Sequence, residues 1–429
     1  MSHKHKSWHT ADVLTNVATI PLSLYIHIPW CVKKCPYCDF NSHALTGKEE
    51  FARYVNSLLA DAKAQVPFVQ GRKINTVFIG GGTPSLLPIA EFVRLFHGLK
   101  ALYAFADDCE ITLEANPGTL EHAPFEEYLN IGINRLSIGV QSFDAHALQT
   151  LGRIHNPTQA SHAITAAKRA GFLRINADLM HGLPAQNAEL AVHDIRCALD
   201  AGATHISWYQ LTVEPNTAFY RRPPDLPDED TLAQIEHAGR QLLIKQGFDN
   251  YEVSAWVGSH DTVCRHNLNY WQFGDYLAIG AGAHGKVSIQ GHDTLSDGIY
   301  RFSKSRLPKD YMTHQHIHPI HMHPNHAQAT GQAATDGFPK FVNFKAIATD
   351  ELTSEYMMNA LRLRHGVDCQ DFKRYTGLDL AGIASTVKRL KQQKLLIDDT
   401  DRLAPTALGF RHVNYLVQQF LACDTFFKK

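Results

Sequence analysis

Three cysteines stand close together near the start of the chain, as Cys31, Cys35 and Cys38 in the spacing CxxxCxxC. Three thiolates on one short loop can converge on a single metal centre. A structural zinc site needs four ligands, and no fourth cysteine or histidine follows at the spacing of a zinc finger. A four-iron cluster held by three thiolates leaves one iron open to another ligand. The spacing therefore indicates a [4Fe-4S] cluster that supports chemistry, with a zinc site or coincidental cysteines as the alternatives.

Histidine is unusually frequent, with 26 residues in the chain. The segment from His314 to His326 holds six of them, interleaved with two prolines. If extended, the segment would present imidazoles on one side, and it could then bind zinc, nickel or haem. A solvated surface loop is the simpler interpretation of such a polar, poorly periodic stretch.

The composition limits the classes of function. The chain has 429 residues, 44% of them hydrophobic, which excludes wholesale disorder. The 41 Lys and Arg residues are balanced by 42 Asp and Glu, so we expect no nucleic-acid partner. No run of about 18 apolar residues is present to span a bilayer. No apolar segment follows the polar N-terminus, and five cysteines are scattered singly, which together predict a cytoplasmic location.

Strand and helix patterns alternate through the first half of the chain. The strand-like segments are Leu22–Ile28, Thr76–Ile79, Glu110–Glu114, Arg135–Val140, Ile175–Met180 and His205–Leu211. The helical patterns are Lys48–Ala64, Ile89–Tyr103, Pro124–Ile131, Thr158–Ala170, Glu189–Asp200 and Asp230–Lys245. Six βα units in series predict a parallel sheet, and a closed TIM barrel has eight. We therefore predict an α/β fold built on an open, partial (β/α)6 TIM-like barrel, with a doubly wound sheet as the alternative.

Composition and periodicity also predict the domains. They are an N-terminal tail at 1–20, the barrel at 21–225, a barrel extension at 226–290, a His-rich insert or loop at 291–341 and a C-terminal domain at 342–429. The proline-rich and acidic segment Arg221–Asp230 is the expected linker. Near the C-terminus, a helix, two short strands around an acidic turn and a last helix over Pro405–Ala422 outline an α+β winged-helix-like domain. We expect no DNA binding from it, because the chain is not basic.

Polar or glycine-rich groups mark the ends of the predicted strands. Glu114, Gln141 and Asp178 stand on or after the third, fourth and fifth strands, and Gly80–Thr83 follows the second. Active groups in βα barrels collect at the carboxyl ends of the strands, so we expect one shared pocket. The glycines would let the backbone approach a ligand closely, although a tight turn alone would also explain them.

Two pairs of motifs carry a family resemblance. The sequence CxxxCxxC after the first strand and GGGTP after the second resemble the radical S-adenosylmethionine (SAM) superfamily. The strings Tyr25–Cys31 (YIHIPWC) and Asp178–Pro184 (DLMHGLP) resemble the oxygen-independent coproporphyrinogen III oxidase family. The similarity spans roughly Pro21 to Gly285 and, more weakly, the C-terminal domain. It implies a radical SAM barrel.

The resemblance also implies cofactors and residues that bind them. SAM would bind the open iron of a [4Fe-4S] cluster on Cys31, Cys35 and Cys38. By motif position, the SAM contacts would be Tyr25, Tyr37, Gly81, Gly82, Thr83, Glu114, Gln141, Arg153 and Asp178. The residue types suit these roles, because arginine pairs with a carboxylate, glutamate with an ammonium group, and glutamine or aspartate with ribose hydroxyls.

Two departures indicate a branch of that family. The decarboxylating oxidases carry a fourth cysteine shortly after the third, where this chain has Asp39 and Phe40. The string HNxxYW resembles the haem-binding motif of the haem chaperone branch, and its residues are His266, Asn267, Tyr270 and Trp271. In that pattern His266 would ligate haem iron and the aromatic residues would form a wall. The alternative is a buried loop in which His266 bonds to a backbone carbonyl.

A second glycine-rich string, Gly280–Gly285, has the spacing GxGxxG. We reject a dinucleotide site there, because the residues that follow have an extended pattern and not a helical one. A glycine-rich lid near the SAM pocket is the interpretation we favour. His284 within it is a candidate second contact to haem.

The resemblance implies a haem chaperone that binds haem and a SAM-liganded [4Fe-4S] cluster. It would deliver haem to respiratory haem proteins, some of them membrane-associated, and act as a monomer or homodimer. The enzymatic alternative is oxidative decarboxylation of coproporphyrinogen III. A third hypothesis, a winged-helix regulator that senses SAM or haem, is based only on the C-terminal outline. The sequence leaves open whether SAM is cleaved.

Overall fold

The computed structural model describes residues 16–118, 123–313 and 341–421. Its strands are β1 Leu22–Ile28, β2 Trp30–Cys31, β3 His43–Ala44, β4 Ile74–Gly81, β5 Phe105–Ala115, β6 Arg135–Gln141, β7 Ile175–His181, β8 His205–Gln210, β9 Asp249–Asn250, β10 Ala255–Val257, β11 Asp275–Ile279, β12 His284–Ile289, β13 Gly298–Lys304, β14 Phe341–Ala346, β15 Val367–Asp368 and β16 Arg402–Leu403. Its α-helices are α1 Phe51–Ala64, α2 Ile89–Leu102, α3 Phe125–Asn130, α4 Ala145–Thr150, α5 Pro157–Arg169, α6 Ala188–Ala201, α7 Ala218–Arg221, α8 Glu229–Lys245, α9 Arg265–Trp271, α10 Pro308–Met312, α11 Thr349–Ala360, α12 Cys369–Thr376, α13 Ala384–Gln392, α14 Ala407–Arg411 and α15 Val413–Gln418. Short 3-10 helices lie at Val17–Thr19, Val66–Phe68, Pro84–Leu86 and Leu380–Ile383.

The barrel strands lie side by side in chain order. The large sheet has the order β14-β13-β12-β11-β1-β4-β5-β6-β7-β8-β10-β9. Each neighbouring pair from β1 through β8 is parallel. The predicted partial (β/α)6 barrel is therefore confirmed. The doubly wound alternative is wrong, because the six parallel strands β1, β4, β5, β6, β7 and β8 follow one another in a single direction with no switch point among them.

Helix ends in the barrel follow the local sequence. Asn156 and Gln159 form a capping box at the start of α5, and the Asn187 side chain caps α6. Helix α6 ends at Gly202 with φ 109°, a left-handed conformation that glycine adopts without strain. These caps fix where α5 and α6 begin and where α6 ends, so that strand β8 follows α6 after a short turn. The parallel strands then carry their polar ends to one edge of the sheet.

Part of the predicted His-rich insert is regular structure, which corrects the sequence prediction for residues 291–341. Strand β13 pairs with β12 on one side and β14 on the other, both antiparallel. Lys304 at its end is 2% exposed, and its Nζ lies 2.6 Å from Asp61 Oδ1. Because the partner of Lys304 is distant in the chain, the sequence around this buried lysine has the polar composition of a loop. The segment His314–His326 lies outside the described residues.

The C-terminal helices enclose a second apolar core that includes Leu352, Tyr356 and Leu390. The order α11-β15-α12-α13-β16 is that of a winged helix, as predicted. The predicted wing hairpin is present but short: Ile397 N–H donates to the Ala404 carbonyl and Thr406 N–H to the Leu395 carbonyl, both at 3.0 Å, around a bridge between Leu396 and Pro405. The adjoining strand β16 pairs with β15. The predicted last helix is also divided into α14 and α15. The break falls at His412, whose φ of -112° and ψ of 37° are not helical.

No helix in the described ranges is long and apolar enough to cross a membrane.

Candidate functional site

A cavity of about 220 Å³ lies where the cysteine loop meets the carboxyl ends of the strands. Eight of the nine predicted SAM contacts line it, and so do all three clustered cysteines. These eight are Tyr37, Gly81, Gly82, Thr83, Glu114, Gln141, Arg153 and Asp178. Six different segments contribute them, so the parallel strands bring together residues that are far apart in sequence.

The three cysteines fit an iron–sulfur cluster. Cys31, Cys35 and Cys38 are unpaired and only partly buried, and they face one cavity. In the described ranges no three His, Cys, Asp or Glu side chains are grouped to hold a single metal ion. Cluster ligands bind different irons, so they need not meet around one ion. Burial raises the pKa of the Cys31 thiol to about 11, so binding a metal would have to displace its proton.

The glycine turn after β4 is required by packing as well as by any ligand. Gly81 has φ 115°, and a Cβ on it would stand 2.5 Å from Cε1 of His27. A Cβ on Gly82 would stand 2.5 Å from the carbonyl oxygen of Trp30. The turn therefore presses directly against the end of β1, where the cysteine loop begins.

Glu114 is one of the two carboxylates on the cavity wall, with Asp178. Its Oε2 accepts a hydrogen bond from the Gly81 backbone N–H at 3.1 Å. Burial, and then the nearby Asp178, raises the pKa of Glu114 to about 8. Burial also raises the pKa of Asp178, although Ser137 Oγ and Asn176 Nδ2 donate to it at 3.1 and 2.8 Å. A cation entering this cavity would stabilise both ionised carboxylates, which suits the amino and sulfonium groups of SAM.

Two residues that the sequence did not assign hold the predicted contacts in place. Asn116 accepts a hydrogen bond from Arg153 Nη2 at 2.6 Å and donates to Thr83 Oγ1 at 2.9 Å. The Tyr209 hydroxyl donates to Gln141 Oε1 at 2.6 Å. Both residues lie at strand ends, and that position could have identified them from the sequence as candidates for the site. They fix the arginine and the glutamine before any ligand binds.

A larger cavity of about 1370 Å³ adjoins the first. The two cavities share Phe40, Glu114, Ser137 and Asp178 as lining residues. Those that face only the larger one include the remaining predicted SAM contact and the haem motif: Tyr25, His266, Asn267, Tyr270, Trp271 and His284. Pockets for drug-sized ligands are about 300–1,000 Å³, so this volume accommodates a bigger ligand.

Tyr25 is bound to a neutral histidine. Its hydroxyl lies 3.0 Å from His27 Nδ1, and His27 Nε2 lies 2.8 Å from the Asn41 carbonyl oxygen. A carbonyl only accepts, so Nε2 carries the proton and the tyrosine donates to Nδ1. Burial lowers the pKa of His27 to about 4, which keeps the ring neutral. Tyr25 therefore stands at the wall of the larger cavity with its hydroxyl already engaged.

His266 stands on helix α9, and its imidazole lines the larger cavity. Its Nδ1 lies 2.9 Å from Thr76 Oγ1, which itself donates to Ser23 Oγ at 2.7 Å. Because the threonine proton is used, Nδ1 of His266 is the donor and Nε2 keeps its lone pair. Burial lowers the pKa of His266 to about 4. The predicted alternative, a bond to a backbone carbonyl in a loop, does not occur, because α9 faces the threonine on β4.

The aromatic residues of the motif pack beside this histidine. The Tyr270 and Trp271 rings are T-shaped at 4.9 Å between centroids, and the Arg362 guanidinium lies 5.4 Å from the Trp271 centroid. They form an aromatic wall on the cavity. Gly282 of the second glycine-rich string also lines this cavity. The segment that follows is strand β12 and not a helix, as predicted when a dinucleotide site was rejected.

Comparisons with known proteins agree with this architecture. Residues 25–197 match the model of the Radical SAM superfamily, and residues 347–412 match the HemN C-terminal domain. The solved structure of coproporphyrinogen III oxidase (HemN) from Escherichia coli has a TM-score of 0.74, is 21% identical, and covers 94% of this chain and 90% of its own. That likeness concerns the fold. The chain is thus a radical SAM protein with a HemN-type C-terminal domain.

Curated relatives narrow the family. "Heme chaperone HemW" of Haemophilus influenzae is 43% identical over 405 residues, covering 94% of this chain and 98% of the relative. The protein of the same name in Escherichia coli is 44% identical over 403 residues, with 94% and 98% covered. The chain belongs to the heme chaperone HemW family. The radical SAM superfamily implies a [4Fe-4S] cluster and SAM.

Proposed function

We propose that this protein is a haem chaperone that binds haem in the larger cavity, with His266 as a ligand to the iron. The main support for this proposal is that the residues of the HNxxYW motif line a cavity of about 1370 Å³ next to the cysteine site. The Thr76 contact leaves Nε2 of His266 as the unprotonated ring nitrogen. That nitrogen has no hydrogen-bond partner among residues 16–118, 123–313 and 341–421. A neutral imidazole of this kind is suited to bind haem iron.

The smaller cavity would hold the cluster and SAM. Cys31, Cys35 and Cys38 would bind the cluster, which supplies an electron to SAM when both are present. Arg153 would face the methionine carboxylate, because Asn116 already orients its guanidinium. Glu114 would accept from the SAM amino group and lose its proton there. The two cavities share lining residues, so SAM in the smaller cavity would lie next to the ligand in the larger one.

The test is a haem titration of the reconstituted protein and of His266→Ala. We expect the variant to bind haem at least about tenfold more weakly, because the iron loses its protein ligand. His193→Ala is the matched control, since that histidine lies on α6 against Cys197 and away from both cavities. Equal affinities of His266→Ala and the wild type would contradict the assignment.

Oxidative decarboxylation of coproporphyrinogen III is the second candidate. It is favoured by one observation, the wall that the two cavities share at Glu114 and Asp178, where a SAM-derived radical would meet a substrate. Against it, Phe40 stands where the oxidases have their fourth cysteine, and it is 66% exposed at the junction of the cavities. An anaerobic assay with substrate, SAM and reductant decides, since turnover would replace the chaperone proposal.

We also propose that the acceptors of haem are respiratory haem proteins and that the protein acts in the cytoplasm as a monomer or homodimer. The cysteines of the described chain are free, which suits a reducing compartment. For the domains we keep the tail at 1–20, the barrel at 21–225 and the extension from 226. The extension then continues through β14, so that the C-terminal domain begins after residue 346.

A further inference from the structure

Arg135 carries a buried charge at the wall of the larger cavity. It is the first residue of β6 and is 2% exposed, and it lines the cavity beside Ser137 and Asn176. Its Nε is a buried donor without an acceptor. Across the described parts of the chain, its guanidinium forms no ion pair and no hydrogen bond. Buried donors without an acceptor cost free energy unless a ligand supplies one.

The carboxylates of Glu110 and Asp261 balance the charge of Arg135 but do not use its donors. Glu110 and Asp261 each lie 2.6 Å from the guanidinium of Arg174. Glu110 also accepts two backbone N–H groups at the start of α9, both at 3.1 Å. Two acids therefore face two arginines, while only Arg174 is hydrogen-bonded to them. The donors of Arg135 remain available to a ligand.

The other cations of this cavity are different. Arg301 is bonded to Glu355 through Nε at 2.8 Å, and Lys304 is paired with Asp61. Arg306 is an exposed loop residue at the rim. Arg135 alone among these four combines deep burial with the absence of a described partner.

We propose that Arg135 binds a carboxylate of the ligand in the larger cavity, and that this ligand is a tetrapyrrole with acidic side chains. The second part depends on the proposed function. Arginine presents a planar fork of donors that matches a carboxylate in a bidentate manner. Ser137 and Asn176 provide further polar groups on the same wall. One side-chain carboxylate of the macrocycle would then reach the interior of the barrel, in the cavity that His266 also lines.

The experiment is a four-way comparison with metal-free porphyrins. Protoporphyrin IX and its dimethyl ester are titrated against the wild type and Arg135→Gln, following porphyrin fluorescence. We expect the wild type to prefer the acid by about tenfold or more, and the variant to lose that preference. Arg306→Gln is the control and should keep it. If Arg135→Gln keeps the preference, or Arg306→Gln abolishes it, the proposal is wrong.

Two further measurements separate this proposal from others. Metal-free porphyrin has no iron, so its binding does not depend on His266 as an iron ligand. If His266→Ala binds haem as tightly as the wild type, His266 is not the iron ligand, but the porphyrin titrations still test Arg135. SAM also carries a carboxylate, and weaker SAM binding by Arg135→Gln without a change for porphyrin would overturn the proposal. Arg135→Met should lower the melting temperature only slightly, because Arg174 keeps its own bonds to Glu110 and Asp261 although the second cation that faces them is removed. A large drop in that temperature would indicate a structural role instead.

Discussion

The raised pKa of Glu114 predicts a stability that falls with pH. Its ordinary pKa is 4.5 and its pKa in the fold is about 8. The folded protein therefore holds this proton where the unfolded chain has released it, and stability declines as pH rises from 4.5 to about 8. Each pH unit in that interval costs about 1.4 kcal/mol. Between pH 6 and pH 8, Glu114 should lower the free energy of unfolding by at most about 3 kcal/mol.

The assay is urea unfolding of the cluster-free protein at pH 6 and at pH 8. Glu114→Gln keeps the shape and removes the titration, so the difference between the two pH values should shrink in the variant by about 2–3 kcal/mol. Asp178 remains in both proteins, and the comparison therefore isolates Glu114. If both proteins show the same difference between pH 6 and pH 8, Glu114 is already ionised in the empty cavity and the reasoning fails.

Two other predictions concern the same edge of the sheet. SAM affinity of the reconstituted wild type should rise by up to about tenfold between pH 7 and pH 9, because Glu114 ionises over that range; isothermal titration should find a smaller rise in Glu114→Gln, and an equal rise would refute this role. Gly81→Ala should destabilise the fold by about 2–4 kcal/mol, through its φ of 115° and the close approach to His27. Gly132→Ala is the control, because Gly132 has a similar φ of 100° but no atom near its Cβ. Thermal melting should show a smaller loss of stability for Gly132→Ala than for Gly81→Ala. Equal losses would show that the contact with His27 does not contribute.

Local motifs made the barrel and the cysteine site predictable. The spacing of the cysteines is read within eight residues, and parallel strands necessarily bring their carboxyl ends together. Eight predicted SAM contacts accordingly line one cavity. Tyr25 could not be assigned to a cavity in the same way, because its side chain faces the adjoining one.

Contacts between distant residues could not be predicted. Arg135 has the pattern of an ordinary strand start, and only the fold shows that Arg174 uses the acids nearby. Strand β13 was hidden because the partner of Lys304 is Asp61, 243 positions away. In the C-terminal domain, the adjacent hairpin follows from the local sequence, whereas the pairing of β16 with β15 across the intervening helices does not.

The most direct test of the account is the spectrum of ferric haem bound to the wild type and to His266→Ala, with and without added imidazole. We predict that the variant loses the signature of a nitrogen ligand and that free imidazole restores it, because the alanine leaves room beside Thr76. A bound-haem spectrum that is the same in both proteins, and that does not respond to imidazole, would contradict the assignment of His266.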